Sequence, residues 1–111
     1  MAIETINPYN NKSVKKFDEL SEKELEGKIA TADKAYSSWK SSSFAERKKL
    51  LNKVASLMKK KKKELAEMIT IEMGKLIAQS EAEIDMCISV YEYYAENGEE
   101  FLKDKDVEVK D

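Results

Sequence analysis

A helix with both of its ends written into the sequence occupies the middle of this chain. Ser43-Phe44-Ala45-Glu46 has the form of a capping box, in which the serine hydroxyl accepts from the Glu46 amide and the Glu46 carboxylate accepts from the Ser43 amide. Leu51, Val54, Met58, Leu65 and Ile69 then recur at spacings of three, four, seven and four. Gly74 follows, a residue able to take the left-handed conformation that closes a helix. The pattern predicts one long amphipathic helix over residues 43–74. Such a rod is scaffold, and by itself it names no chemistry.

The flanking segments follow the same rules. Ser21-Glu22-Lys23-Glu24 is a second capping box, with Leu20 and Leu25 at the two positions of a hydrophobic staple. Leu25, Ile29, Ala32, Tyr36 and Trp39 lay one apolar stripe along a helix over residues 20–40, with Gly27 a weak point inside it. The polar connection Lys40-Ser41-Ser42-Ser43 is short, which predicts that the first two helices lie antiparallel as neighbours.

Beyond Gly74, the residues Ile77, Ile84, Cys87, Ile88, Tyr91, Tyr94 and Ala95 predict a third helix over residues 76–103. Asn97-Gly98 reads as its stop or weak point, ahead of a last short stretch ending in Phe101-Leu102. At the other end, residues 1–19 read as a β-hairpin. Ile3 to Ile6 alternates, Asn7-Pro8-Tyr9-Asn10-Asn11 has turn chemistry, and Ser13 to Phe17 is extended in character. Residues 107–111 alternate like the start of a strand, and a chain that stops inside an unpaired strand reads as truncated. The fold class is therefore mainly α, a hairpin plus three main amphipathic helices.

Composition narrows the class further. At 111 residues the chain makes one domain or part of one. Its 20 basic and 22 acidic residues leave a net charge of -2, which gives no global field for nucleic acid or an anionic membrane. A single cysteine excludes an internal disulfide, and no apolar run approaches the roughly 20 residues of a membrane span. The first residues lack the pattern of a signal or transit peptide, so a soluble cytoplasmic protein is expected.

Little in the chain points to a reaction. No Gly-rich turn follows a strand, and the chain has no histidine, so neither a dinucleotide cradle nor a His/Cys metal cluster is expected. Cys87 lies in an apolar stripe with no imidazole to activate it, and reads as a packing residue rather than a nucleophile. Lys59 to Lys63 forms a basic run without an aromatic residue to stack a base, and reads as a solvated segment offset by Glu64 and Glu67. Glu81 and Asp85 share one side of a helix and read as a solvated face. Tyr91, Tyr94 and Ala95 share the core face, from which Tyr93 departs. The residues themselves offer no catalytic and no cofactor-binding site.

Five segments in order nevertheless form a pattern: Thr5-Ile6-Asn7-Pro8, Ala35-Tyr36-Ser37-Ser38-Trp39, Ser43-Phe44-Ala45-Glu46-Arg47 with Leu50-Leu51, Ile71-Glu72-Met73-Gly74-Lys75, and Tyr93-Tyr94-Ala95-Glu96. This succession resembles the N-terminal region of aldehyde dehydrogenases, most closely the succinate-semialdehyde branch. Two places depart from the usual pattern: Asn10-Asn11, where a Thr-Gly turn is common, and Leu76, where proline often follows the Gly-Lys pair. The resemblance implies that residues 1–111 are one N-terminal piece of a larger α/β enzyme that uses NAD or NADP. It implies oxidation of an aldehyde through a cysteine thiohemiacetal, hydride transfer and thioester hydrolysis, with the nucleotide-binding core, the cysteine and the general-base glutamate all beyond Asp111.

The piece alone is then expected to be inactive and to bind neither nucleotide. Its partner would be the remainder of the dehydrogenase chain, in a homo-oligomer, with no nucleic acid and no membrane. A monovalent-cation site of the family would map to Thr5, Ile6 and Glu72. The competing reading is a free-standing helical interaction module, with an apolar groove or the lysine run as its binding surface.

Overall fold

The structure, a computed structural model, describes residues 3–107. Its elements are β1 (Ile3–Asn7), β2 (Lys12–Phe17), α1 (Glu22–Trp39), α2 (Phe44–Lys60), α3 (Lys62–Met73) and α4 (Ile77–Phe101). The expectation for residues 1–2 of the hairpin, and for the strand over residues 107–111 apart from Val107, lies outside the described residues; Val107 belongs to no regular element.

β1 and β2 pair antiparallel, from Ile3 opposite Phe17 to Asn7 opposite Lys12, with an irregularity between Thr5 and Ile6. The turn is built from the asparagines. Asn7 Oδ1 accepts from the Tyr9 amide at 2.9 Å, Asn10 Oδ1 accepts from the Lys12 amide at 3.0 Å, and Asn11 takes a φ of 56°.

Both capping boxes form. Ser21 Oγ accepts from the Glu24 amide at 3.3 Å while Glu24 Oε2 accepts from the Ser21 amide at 2.8 Å, and Ser43 and Glu46 repeat the arrangement at 3.2 and 2.7 Å. These bonds favour the ionised carboxylates. The Glu24 carboxyl is held below its ordinary 4.5 by the Ser21 hydroxyl and then the Ser21 amide, and that of Glu46 by the Ser43 amide and then its hydroxyl. A carboxyl lowered in the folded state contributes stability that is complete above the unfolded value and is lost as pH falls through the lowered one. Helical circular dichroism should therefore decline on acidification from about pH 5 downward, and that decline should shrink in a Glu24→Gln/Glu46→Gln variant. An identical acid limb in the variant would rule out this role for the boxes.

The helix expected over residues 43–74 is divided, so four helices follow the hairpin among the described residues. The break is confined to Lys61, whose φ of -102° and ψ of 12° leave the helical region. Across it the Lys61 amide donates to Leu57 O at 3.0 Å and Lys61 O accepts from the Leu65 amide at 3.0 Å. α2 and α3 both pack along α4 and barely on each other, so the shared partner sets the bend. Periodicity cannot register such a kink, because the apolar face continues through it.

The core lies where α2 and α3 meet α4. Ala55, Ala66, Ile84 and Ile88 are buried there, and Met58, Leu65, Ile69 and Tyr91 pack around them. Ala55 and Ala66 are the most completely buried of these, small residues at the centre of the seam that the stripe from Leu51 to Ile69 did not name. Ser80 is fully buried in the first turns of α4 and shares a 2.9 Å hydrogen bond with Thr70 Oγ1, which ties the end of α3 to the start of α4.

Along the outside of the seam runs a ladder of lysines facing α4. Lys48 meets Glu96 at 2.6 Å, Lys59 meets Glu92, Lys62 meets Asp85 at 2.6 Å, and Lys75 meets Glu83. Half-exposed pairs of this kind are individually weak, about 0.2–1 kcal/mol. Their order, descending along α4 as the lysines ascend, favours this antiparallel register over a slip of one turn.

Two expectations fail in the structure. α4 runs through Asn97-Gly98 to Phe101 without a stop, and the Asn97 side chain donates to Tyr93 O at 2.9 Å. α1 is not the antiparallel neighbour of α2. It has no buried residue and no extended interface with any other described element. A short connection permits antiparallel packing, but the two stripes must also face each other, and here α2 spends its stripe on α4. The radius of gyration is accordingly 19.9 Å, against about 13 Å for a compact domain of this length.

Candidate functional site

Two of the five sequence motifs, distant in the chain, meet at the foot of the hairpin. β1 packs on α3, and the Pro8 ring of the hairpin turn covers Gly74 at the end of α3. Gly74 has a φ of 72°, and its amide donates to Thr70 O at 3.0 Å, so the helix closes as the glycine predicted. A Cβ at this position would stand 2.9 Å from Pro8 Cγ, so the seat of the proline ring leaves no room for a side chain here.

Thr5, Ile6 and Glu72 fall on the two elements that meet here. Thr5 Oγ1 is buried and has no hydrogen-bond partner, Ile6 is half-exposed, and Glu72 is half-buried on α3. Glu72 lines a cleft of about 330 Å³ between β2 and α3 with Val14, Lys15, Met68 and Ile71. Among the described residues no group of three or more His, Cys, Asp or Glu side chains is placed to hold a metal ion. The oxygen donors of the expected set are hard ones, the kind an alkali cation takes, and the orphaned threonine hydroxyl is consistent with a further oxygen ligand at this point.

The other candidates resolve individually. Cys87 is half-buried in α4 between Ile84 and Ile88. The lysine run divides: Lys61 meets Glu64 at 3.3 Å and Lys63 meets Glu67 at 4.0 Å, as its neighbours suggested, while Lys59 and Lys62 cross to α4. Asp85 is one of those α4 partners, which the pairing of Glu81 with Asp85 in sequence did not reveal.

Tyr91 packs on the core, but Tyr94 is 54% exposed and joins Tyr93 and Phe101 in a surface aromatic cluster, with ring centroids 5.4–6.3 Å apart. Helical spacing placed Tyr94 on the core face. It lines a cleft of about 370 Å³ between α2 and α4, with Phe44, Leu51, Ala95 and Leu102.

Leu25, Ile29 and Tyr36 of α1 are 51–62% exposed, and the cleft between α2 and α4 is apolar and open. No helix among the described residues is long and apolar enough to cross a membrane.

The described elements thus form a mainly helical segment, with a hairpin seated on α3, a seam between α2 and α4, and α1 uncovered. The chain belongs to the aldehyde dehydrogenase family, whose profile it matches over residues 1–111. Within that family its relatives include the succinate-semialdehyde dehydrogenase (NADP+) of Deinococcus radiodurans, 38% identical over 105 residues, and one from Mycobacterium tuberculosis at 37%.

Among solved structures, the succinic semialdehyde dehydrogenase of Streptococcus pyogenes in complex with NADP+ superposes with a TM-score of 0.88 at 32% identity over 96% of this chain. A glyceraldehyde-3-phosphate dehydrogenase from Methanocaldococcus jannaschii, complexed with NADP, gives 0.86 at 31% identity over 98%. The chain spans 22–23% of the length of those curated relatives and 24% of each solved chain.

Proposed function

We propose that this chain is the N-terminal segment of an NAD(P)-dependent aldehyde dehydrogenase acting on succinate semialdehyde. The observation that carries the reading is the 38% identity to the Deinococcus radiodurans succinate-semialdehyde dehydrogenase sustained over 95% of the chain. The segment supplies architecture. Its exposed α1 stripe and the α2–α4 cleft are the surfaces that the remainder of the dehydrogenase covers, in a cytoplasmic homo-oligomer. Thr5, Ile6 and Glu72 contribute oxygens to a monovalent cation beneath the hairpin. The nicotinamide cofactor accepts the hydride in the complete enzyme, and the nucleophile belongs to the chain beyond residue 111.

Assay of the full-length enzyme carrying this segment tests the reading. Succinate semialdehyde should drive NADPH or NADH formation, while the 111-residue chain titrated with either nucleotide should show no saturable binding. Cys87→Ala should leave turnover in the full-length enzyme largely intact and cost only on the order of 1 kcal/mol of stability, since a half-buried thiol is exchanged for a methyl. A well-folded full-length protein inert toward every aldehyde would defeat the family-level activity. Loss of turnover in a stable Cys87→Ala enzyme would instead show that Cys87 takes part in the chemistry. The interaction-module alternative predicts no dehydrogenase activity at all.

A further inference from the structure

α1 has no extended interface with any other described element, so its direction relative to α2 rests on the corner that joins the two helices. The backbone and hydroxyl bonds of that corner stay on the α1 side: the Ser41 amide donates to Ser38 O at 3.3 Å, the Ser42 amide to Trp39 O at 3.0 Å, and the Ser42 hydroxyl to Trp39 O at 2.7 Å. They finish α1 and say nothing about where α2 goes. On the α2 side, Ser43 and Glu46 cap their own helix.

One side chain crosses between the two sets. Arg47, in the first turn of α2, donates through Nε to Ser42 Oγ at 2.9 Å and through Nη2 to Lys40 O at 3.2 Å. Its guanidinium also stands 5.9 Å from the Trp39 ring and 5.6 Å from the Phe44 ring, one on each helix. A planar fork can hold a carbonyl, a hydroxyl and two ring faces together, whereas an ammonium supplies only a point charge.

We propose that Arg47 is the positioning residue that fixes the angle between α1 and α2, so that the apolar stripe of α1 is presented already oriented to the remainder of the dehydrogenase chain. That occupant rests on the function proposed above and on this chain spanning 24% of its solved relative. α1 is then a braced arm, ordered before it is packed. Bracing of this kind lowers the ordering cost of docking, because the direction of an 18-residue helix does not have to be selected at the moment of contact.

The test is a distance measurement on the 111-residue chain. In a Cys87→Ala background, spin labels at Lys28→Cys on α1 and Lys53→Cys on α2 should give a single narrow distribution by double electron–electron resonance. Arg47→Ala should replace that peak with a broad spread while helical circular dichroism is unchanged. Arg47→Lys, which keeps the charge and most of the stem, should broaden it as well. If Arg47→Ala does not fold, the lysine variant carries the comparison alone.

A narrow peak that survives either folded variant overturns the proposal, and so does a distribution already broad with Arg47 present. The result is independent of any dehydrogenase assay: a full-length protein without activity would remove the proposed function and leave the brace standing.

Discussion

Replacing Gly74 with alanine should destabilise the chain by more than the loss of a helix cap alone. The residue sits at a φ of 72°, where an L side chain costs about 1–2 kcal/mol. The added methyl would also lie 2.9 Å from Pro8 Cγ, in a ring that cannot rotate aside, so the hairpin must lift from α3 or the turn must open. Either movement disturbs the interface between β1 and α3, which is the only extended contact of the hairpin with the helices among the described residues.

Urea unfolding followed by circular dichroism should show a lower midpoint for Gly74→Ala, and Pro8→Ala introduced with it should restore part of the loss. Gly27→Ala is the matched comparison of opposite sign. A Cβ there meets nothing within 4 Å inside α1, so about 1 kcal/mol of helix propensity is gained without a clash. An unchanged midpoint in Gly74→Ala would mean that neither the left-handed turn nor the proline seat constrains the fold.

Ile84→Ala should have the largest effect of any single truncation. Ile84 is 5% exposed and faces Ala55, Ala66 and Ile88 at the centre of the seam. Deleting such a side chain removes its transfer free energy and leaves a cavity, together about 2–5 kcal/mol. Two of its three buried neighbours are alanines, which are too small to collapse into the space, so the upper part of that range is expected. A small domain commands roughly 5–15 kcal/mol in total, so thermal unfolding should shift far to lower temperature and broaden. Leu25→Ala, on the uncovered stripe of α1 at 51% exposure, should change the midpoint little. Equal losses in the two variants would mean that the α2–α4 seam is not the core.

The local structure was legible in the residues alone. Ser21 with Glu24 and Ser43 with Glu46 opened their helices where the capping boxes stand, Gly74 closed α3, and the asparagines built the hairpin turn, because each depends on groups within four residues of one another. The stripes of α2, α3 and α4 also named most of the residues that pack in the seam. The ordered motifs from Thr5 to Glu96 carried the family as well, since a family is legible wherever its residues keep their order.

What those faces meet emerges from the packing of distant segments. That packing bent the central helix at Lys61 to follow α4, carried α4 through Asn97-Gly98, and moved Tyr94 out of the core. It also left α1 braced by Arg47 with its stripe uncovered, and set Pro8 on Gly74 across more than sixty residues. Periodicity reports that a helix has an apolar side. Which partner occupies that side depends on contacts between residues far apart in sequence, and no local spacing encodes them.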